Sequence, residues 1–356
     1  MSAGSNRREF LTGQALQNAV GAAGESLADA ILPPPPSRGP NLVLRTTAMA
    51  CDFDVILNPD GPEHQVRAAS EALDQVQALE DQCSVYRPHS ELSRLNQVAA
   101  DRRVSVEPGL YRLLRRAVAI SGRTDGAFNP AAGALIRLWK QSRVEDRLPT
   151  VEECAASVGC CDLAMIDWDD EDSSVRFRRD GLAFDLGAIG KGYAVDEAAR
   201  ILGEQGVSSF LVHGGRSSVL ARGGHAGHAG WPVGLNNPLL PDQPYLTLLL
   251  KDAAFSTSGT AVQGFRHAGK RYGHILDPRT GWPADKLLSV SVIAPDAALA
   301  DALSTAFFIL GVENALRCCD NFENVGLILF PPPRQGRRLE PVFHNVPDDC
   351  VIFVEG

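Results

Sequence analysis

The chain has no excess of positive charge: 34 Lys and Arg against 43 Asp and Glu leave a formal net charge of -9. No basic block interleaved with aromatics stands out from that background, so the sequence has no nucleic-acid footprint. It also lacks a cysteine pattern of metal or redox type. Of the eight cysteines, Cys160/Cys161 and Cys318/Cys319 are neighbours and Cys51, Cys83, Cys154 and Cys350 stand singly; no CxxC pair or Cys/His zinc spacing occurs. They read as reduced, buried small hydrophobes, since a disulfide framework is out of place in a domain of this size, although one or two bridges stay open. No apolar run approaches the length of a membrane span, and no internal repeat recurs at a fixed period. What is present, 44% hydrophobic and 22% charged residues over 356 positions, is an ordinary globular composition with chain enough for one large or two modest cores.

The first 40 residues differ from the rest. Arg7 and Arg8 precede Phe10 and Leu11 in NRREFLTG, which resembles a twin-arginine export signal, and the following Gly/Ala-rich stretch ends in Ala28-Asp29-Ala30, an A-x-A-like cleavage site. Gln14, Gln17, Asn18 and Glu25 interrupt that stretch, so export to the periplasm or envelope and a cytoplasmic protein with a helical or disordered leader both remain open. The Pro33 to Pro36 run with Ser37, Arg38, Gly39 and Pro40 reads as a stiff linker. Residues 1–40 are thus leader and linker, and 41–356 form the folded domain.

Within that domain the pattern predicts a strand around 48–57 and a helix over about 62–82, with Val66, Ala69, Leu73, Val76 and Leu79 at helical spacing. A second helix follows over about 108–121, carrying Leu110, Leu113, Leu114 and Ala117. The later half mixes short strands, SSVRFRR, GLAFDL, SFLVHG, SSVLAR, YLTLLLK, LLSVSVIA, VGLILF and CVIFVE, with few helices. Strands joined by short loops and interrupted by single helices predict an α+β fold with antiparallel sheets.

The helix ADALSTAFFILG carries the most pointed chemistry. Asp301 and Thr305 lie one turn apart on one face, opposite Leu299, Leu303, Ala306, Phe307 and Leu310, and they are expected to face away from the core. An isolated Asp-x-x-x-Thr is ordinarily a solvated face. Here Phe308 and Ile309 make the helix apolar nearly all round, and a carboxylate among apolar neighbours needs a partner or a metal. Upstream, DLGAIGKGY, Asp185 to Tyr193, puts three glycines and Lys191 at a strand-to-helix turn, where backbone can approach a ligand and free N–H groups suit an anion. It matches neither a Walker A loop nor GxGxxG, and a tight crossover is its structural alternative. His213-Gly214-Gly215 and Ser256-Thr257-Ser258-Gly259 read as loops at strand ends, where ligands are usually received, although each alone reads as a turn. His274 and Asp277 lead into the rigid turn Pro278-Arg279-Thr280-Gly281, which gathers a titratable ring, an acid and a guanidinium. His225 and His228 have metal-like spacing, but their Gly-rich surroundings read as a surface insertion.

In chain order, TAMACDFDVIL, CSVYRPHSELSRLN, GAFNPAAGALIRLW, DLGAIGKGYAVD, VHGGR, FSTSG, HILDPRTGWPA and ADALSTAFFILG together resemble the ApbE family, the FAD:protein FMN transferases. The resemblance implies an α+β fold of two related β-sheet and helix halves with FAD bound between them. It implies that Met49, Tyr86, Ala127, Phe128, Asn129, Asp185, Lys191 and Ile275 bind the flavin nucleotide. Asp301, Thr305 and the Ala188 carbonyl are implied to hold Mg²⁺, and His274 to act as general base. Oxygen donors of this kind suit Mg²⁺. The implied reaction joins FMN to a Thr or Ser hydroxyl of an acceptor protein and releases AMP; FAD hydrolysis to FMN and AMP, and FAD binding with little catalysis, are the rival readings. The chain departs from the family pattern at Asn129 and Ala131, where Asp and Thr are common, at Arg216 in place of an acid, and at Thr260-Ala261 after STSG.

Overall fold

The apolar run at 48–57 is a hairpin tip and its second arm rather than a single strand. In the computed structural model, β1 (Leu42–Ala48) pairs antiparallel with β2 (Cys51–Leu57), Ala48 opposite Cys51. The connecting pair, Met49 and Ala50, is left-handed at both positions, φ 50 and 57. A two-residue turn with positive φ twice matches the twist of the strands, but Asn-Gly usually supplies it. The structure describes residues 41–215, 217–260, 264–336, 338–347 and 350–353. The leader and linker, Arg216 and Ala261 lie outside them.

Helices α1 (Gln65–Cys83) and α2 (Glu91–Val98) follow, then β3 (Val104–Ser105), α3 (Pro108–Arg123), α4 (Gly133–Val144), α5 (Val151–Gly159), β4 (Ile166–Asp169) and β5 (Ser174–Phe177). Next come α6 (Gly190–Glu204), β6 (Phe210–Gly214), β7 (Ser218–Arg222), β8 (Trp231–Asn237), β9 (Leu240–Leu250) and β10 (Ala253–Gly259). The hairpins β11 (Gly264–His267) with β12 (Lys270–Gly273) and β13 (Leu276–Asp277) with β14 (Trp282–Pro283) precede β15 (Ser289–Ala294). The chain closes with α7 (Ala297–Leu310), α8 (Val312–Cys319), β16 (Gly326–Phe330), β17 (Val342–His344) and β18 (Val351–Phe353). GLAFDL is not a strand: Ala183 makes one isolated bridge, and the Asn96 amide occupies both backbone groups of Phe184 at 2.8 Å.

One eight-stranded sheet, β1-β2-β6-β7-β10-β15-β16-β17, carries the fold, and every neighbouring pair in it is antiparallel. Its order reveals a duplication without sequence repeat. In each half, two antiparallel strands are followed by helices and then by two more: β1-β2, α1 to α6, β6-β7, and β10-β15, α7-α8, β16-β17. The halves join where β7 pairs with β10, and β8-β9 and β11 to β14 are insertions.

Strand alternation sorts the cores. Phe53, Val55, Leu57, Val212, Val290, Val292, Leu327 and Leu329 face α1, α6 and α7 in the main cluster. Ile56, Leu211, Phe255, Ile328 and Phe330 face the other way, against Trp231, Val233, Leu246, Leu248 and Leu250 of the small sheet β18-β9-β8. On α1, Ala69, Leu73, Val76 and Leu79 are buried as the spacing predicts, whereas Val66 is 47% exposed. Leu110, Leu113, Leu114 and Ala117 of α3 are all buried, and Glu107 caps that helix by accepting from Leu110 N.

Candidate functional site

Helices α6 and α7, one from each half, meet at their N-termini. Their backbones approach so closely that a Cβ on Gly192 would lie 2.1 Å from the Ala297 carbonyl oxygen. Each helix is capped by a carboxylate of the other. Asp196 of α6 accepts from Ala297 N and Ala298 N at 2.7 and 2.8 Å. Asp301 of α7 accepts from Gly192 N at 3.1 Å through Oδ2. Negative charge at a helix N-terminus is favourable, because the first N–H groups have no partner within the helix. A second acid, Asp296, caps Leu299 N and pairs with Arg116 at 2.7 Å. Burial, with that neighbouring carboxylate, pushes the Asp196 carboxyl up to about 7.

Asp301 is therefore not turned to solvent but 4% exposed, and the apolar surroundings read from its neighbours do supply partners. Its Oδ1 accepts from Ser218 Oγ and Ser256 Oγ, each at 3.2 Å, and Lys191 Nζ stands 4.0 Å away. Ser218 and Ser256 sit directly opposite one another across β7 and β10, at the join of the two halves. Beyond them, Ser304 Oγ donates to the Asp301 backbone carbonyl at 2.9 Å, and Ser258 Oγ lies 2.8 Å from Ser304 Oγ and 3.4 Å from Thr305 Oγ1. The stretch read as a loop, 256–259, is the end of strand β10, so Ser256 and Ser258 project from one face. Ser256 and Ser258 lie in the stretch the sequence singles out, whereas Ser218 and Ser304 are not sequence candidates. The i, i+3 spacing of Asp301 and Ser304 is a signal that could have found Ser304; Ser218 has none, because strand register brings it opposite Ser256.

Gly192 N is one of the first N–H groups of α6, which have no acceptor within the helix, and Ala188 lies just before its N-cap, Ile189. That N–H is spent on Asp301, and among the described residues no hydrogen bond reaches the Ala188 carbonyl. A carboxylate, a hydroxyl and an unused carbonyl are the hard oxygen donors that Mg²⁺ takes, so these residues fit that ion. No three His, Cys, Asp or Glu side chains gather into a metal cluster among the described residues; a site here is of the one-carboxylate kind.

Other candidates surround this point. Asp185 donates its backbone N–H to Pro130 O at 2.8 Å and accepts from Gly187 N at 2.8 Å, tying the GAFNP loop to the Gly-rich turn. Ala127 and Phe128 are buried. Asn129 uses both ends of its amide, donating to Cys161 O at 2.9 Å and accepting from Ala131 N at 2.8 Å. A carboxylate there would lose the first bond, so the local contacts suit an amide. A Cβ added at Gly126 would lie 3.9 Å from the Arg279 side chain, which brings the 274–281 turn to the same loop, and the Asp277 hydrogen bond, then its charge and that of Asp125, raise the Arg279 pKa. Ile275 is buried there, and His274 beside it is exposed. Tyr86 is 72% exposed, with the Lys140 ammonium on its hydroxyl and 4.3 Å over its ring. Met49 is half-buried in its strained turn beside Gly215, whose N–H bonds Asp52 O; backbone strain of this kind clusters at functional sites.

Two features stand apart. His225 and His228 are buried rather than inserted at the surface: they bridge to each other, and His225 stacks on Trp231 at 4.5 Å and holds Asn58 Oδ1 at 3.0 Å. Burial, then the neighbouring imidazole, pushes His225 down to about 4. A groove of about 750 Å³ runs between Gln75, Gln82, Arg112, Tyr193 and Arg200 and is lined by neither Gly192 nor Asp301.

The ApbE family model matches residues 49–329. A FAD:protein FMN transferase of Treponema pallidum is 34% identical over 77% of this chain and 80% of its own length, and one of Klebsiella pneumoniae is 32% identical over 74% and 82%. Among solved structures, the ApbE protein of Thermotoga maritima superposes with a TM-score of 0.75 at 30% identity, covering 82% of this chain and 94% of its own. The flavinyl transferase ApbE of Pseudomonas stutzeri does so with 0.73 at 26%, covering 85% and 94%. The fold around Asp301 is thus shared with solved ApbE structures, and this chain belongs to the ApbE family.

Proposed function

We propose that this protein transfers FMN from FAD to a Thr or Ser hydroxyl of an acceptor protein, releasing AMP, with Mg²⁺ held by Asp301, Thr305 and the Ala188 carbonyl. The observation that carries the reading is the place of Asp301: its carboxylate takes the Gly192 N–H at the start of α6, next to the turn whose Ala188 carbonyl accepts no hydrogen bond among the described residues. The names of the 30–34% identical relatives support the flavin nucleotide and the protein acceptor.

Around the pyrophosphate, Lys191 supplies a positive charge at the start of α6, whose first turn adds a favourable dipole. Mg²⁺, when bound, supplies a Lewis acid that draws charge from the phosphate oxygens. Asp185, Met49, Tyr86, Ala127, Phe128, Asn129 and Ile275 hold the rest of FAD. His274 accepts the proton of the acceptor hydroxyl while that oxygen bonds the FMN-side phosphorus. The pyrophosphate P–O bond breaks in line, and AMP leaves with the electron pair. The product is a phosphoester between FMN and the acceptor.

The test incubates purified protein with FAD, Mg²⁺ and a Thr-containing flavin-acceptor domain, following AMP release and acceptor mass. An FMN-sized mass gain matched by AMP is expected. AMP without the mass gain would replace transfer by FAD hydrolysis, and FAD that stays bound and intact would sink the catalytic reading.

A further inference from the structure

The hydroxyls around Asp301 can be assigned donor by donor, because each has one proton and two lone pairs. Ser304 spends its proton on the Asp301 backbone carbonyl, 2.9 Å away. The 2.8 Å contact between Ser258 and Ser304 must then carry the proton of Ser258. With that proton used, the 3.4 Å contact between Ser258 and Thr305 can only be made by the proton of Thr305. Thr305 thereby keeps both lone pairs as acceptors. On the carboxylate, Oδ1 is filled by the Ser218 and Ser256 hydroxyls and Oδ2 takes a single bond, from Gly192 N. A carboxylate oxygen accepts about two bonds, so Oδ2 keeps one acceptor site. Ser218, Ser256 and Ser304 are buried, which denies them water as an alternative partner.

We propose that Ser218, Ser256, Ser258 and Ser304 form a directional hydroxyl relay that holds Asp301 and Thr305 in their cation-accepting form. The four serines are positioning residues: none of them ligates, and all act through Asp301 or Thr305. Ser218 and Ser256 come from opposite halves of the sheet and meet on one carboxylate oxygen, so the relay also locks the site to the join of the duplication. The inference rests on the cation reading proposed above.

Its test measures Mn²⁺ binding to the FAD-loaded, full-length protein by electron paramagnetic resonance, a readout independent of turnover. Removing a partner that orients a metal ligand typically weakens affinity about 10–100-fold, and Ser258→Ala and Ser304→Ala are expected to fall in that range. Ser258→Thr, which keeps the hydroxyl, should restore most of the affinity. Ser291→Ala removes a similar part-buried hydroxyl pair, Thr257 with Ser291 at 2.8 Å, outside the relay and should bind Mn²⁺ like the wild type. Equal affinity in the wild type and both relay variants overturns the relay alone. Equal losses in Ser291→Ala and Ser258→Ala reduce it to general core damage and overturn it too. A wild type that binds no Mn²⁺ overturns the cation reading and the relay with it.

Discussion

Asp301 is the residue on which most of the site turns, and its neighbours show how it can be tested without losing the fold. In Asp301→Asn the retained oxygen can still accept from Gly192 N, and the Ser218 and Ser256 hydroxyls can rotate to accept from the new amide. What is lost is the negative charge. A unit charge pair about 4 Å apart at an effective dielectric near 20 is worth about 4 kcal/mol, or roughly a thousandfold in rate. The variant should therefore fold, with a circular dichroism spectrum like the wild type, while its rate of AMP release with acceptor falls by about three orders of magnitude. A rate within about tenfold of the wild type would remove Asp301 from the cation site. Lys191, whose Nζ lies 4.0 Å from Oδ1, keeps its own charge in this variant.

At the scale of elements, the crossing of α6 and α7 carries a pH dependence. The Asp196 carboxyl, buried beside Asp296, has its pKa raised from 3.8 to about 7, although two N–H groups of α7 and Arg116 pull the other way. A raised carboxyl binds its proton more tightly folded than unfolded, so between about pH 4 and 7 the native state holds the extra proton and stability falls as pH rises. Asp196→Asn cannot ionise and keeps one acceptor for the α7 cap. The difference in Tm between wild type and variant should thus move against the wild type from pH 4 to pH 7, at about 2–4 °C per kcal/mol for chains of this order. A difference that stays constant across that window would place the titration elsewhere. The same crossing shows what was legible beforehand. The acid, the hydroxyl and the Gly-rich turn could be read because local spacing puts them on one helix face and at one turn. Ser218 could not, because it is strand register that sets it against Ser256. The hairpin at Met49-Ala50 lacks the residues its backbone angles favour, and GLAFDL looks like a strand because the Asn96 side chain stands in for its ladder partner.

The whole molecule is two four-stranded halves that share one sheet and one site. Lys191, Gly192 and Ser218 come from the first half; Ser256, Ser258, Asp301 and Thr305 come from the second. Because Asp196 caps the helix of one half and Asp301 that of the other, neither half can open without stranding a buried carboxylate of its neighbour, a costly state. The halves should unfold together, giving one urea transition whether followed by tryptophan fluorescence or by far-ultraviolet circular dichroism. Ligands that bind only the assembled cleft stabilise it by mass action, about 2.7 kcal/mol at a hundred times the dissociation constant. FAD with Mg²⁺ should accordingly shift that single transition to higher urea in the wild type and shift it less in Asp301→Asn. Two separate transitions, only one of them moved by FAD and Mg²⁺, would mean that one half holds the ligands alone and that the cleft between the halves is not the site.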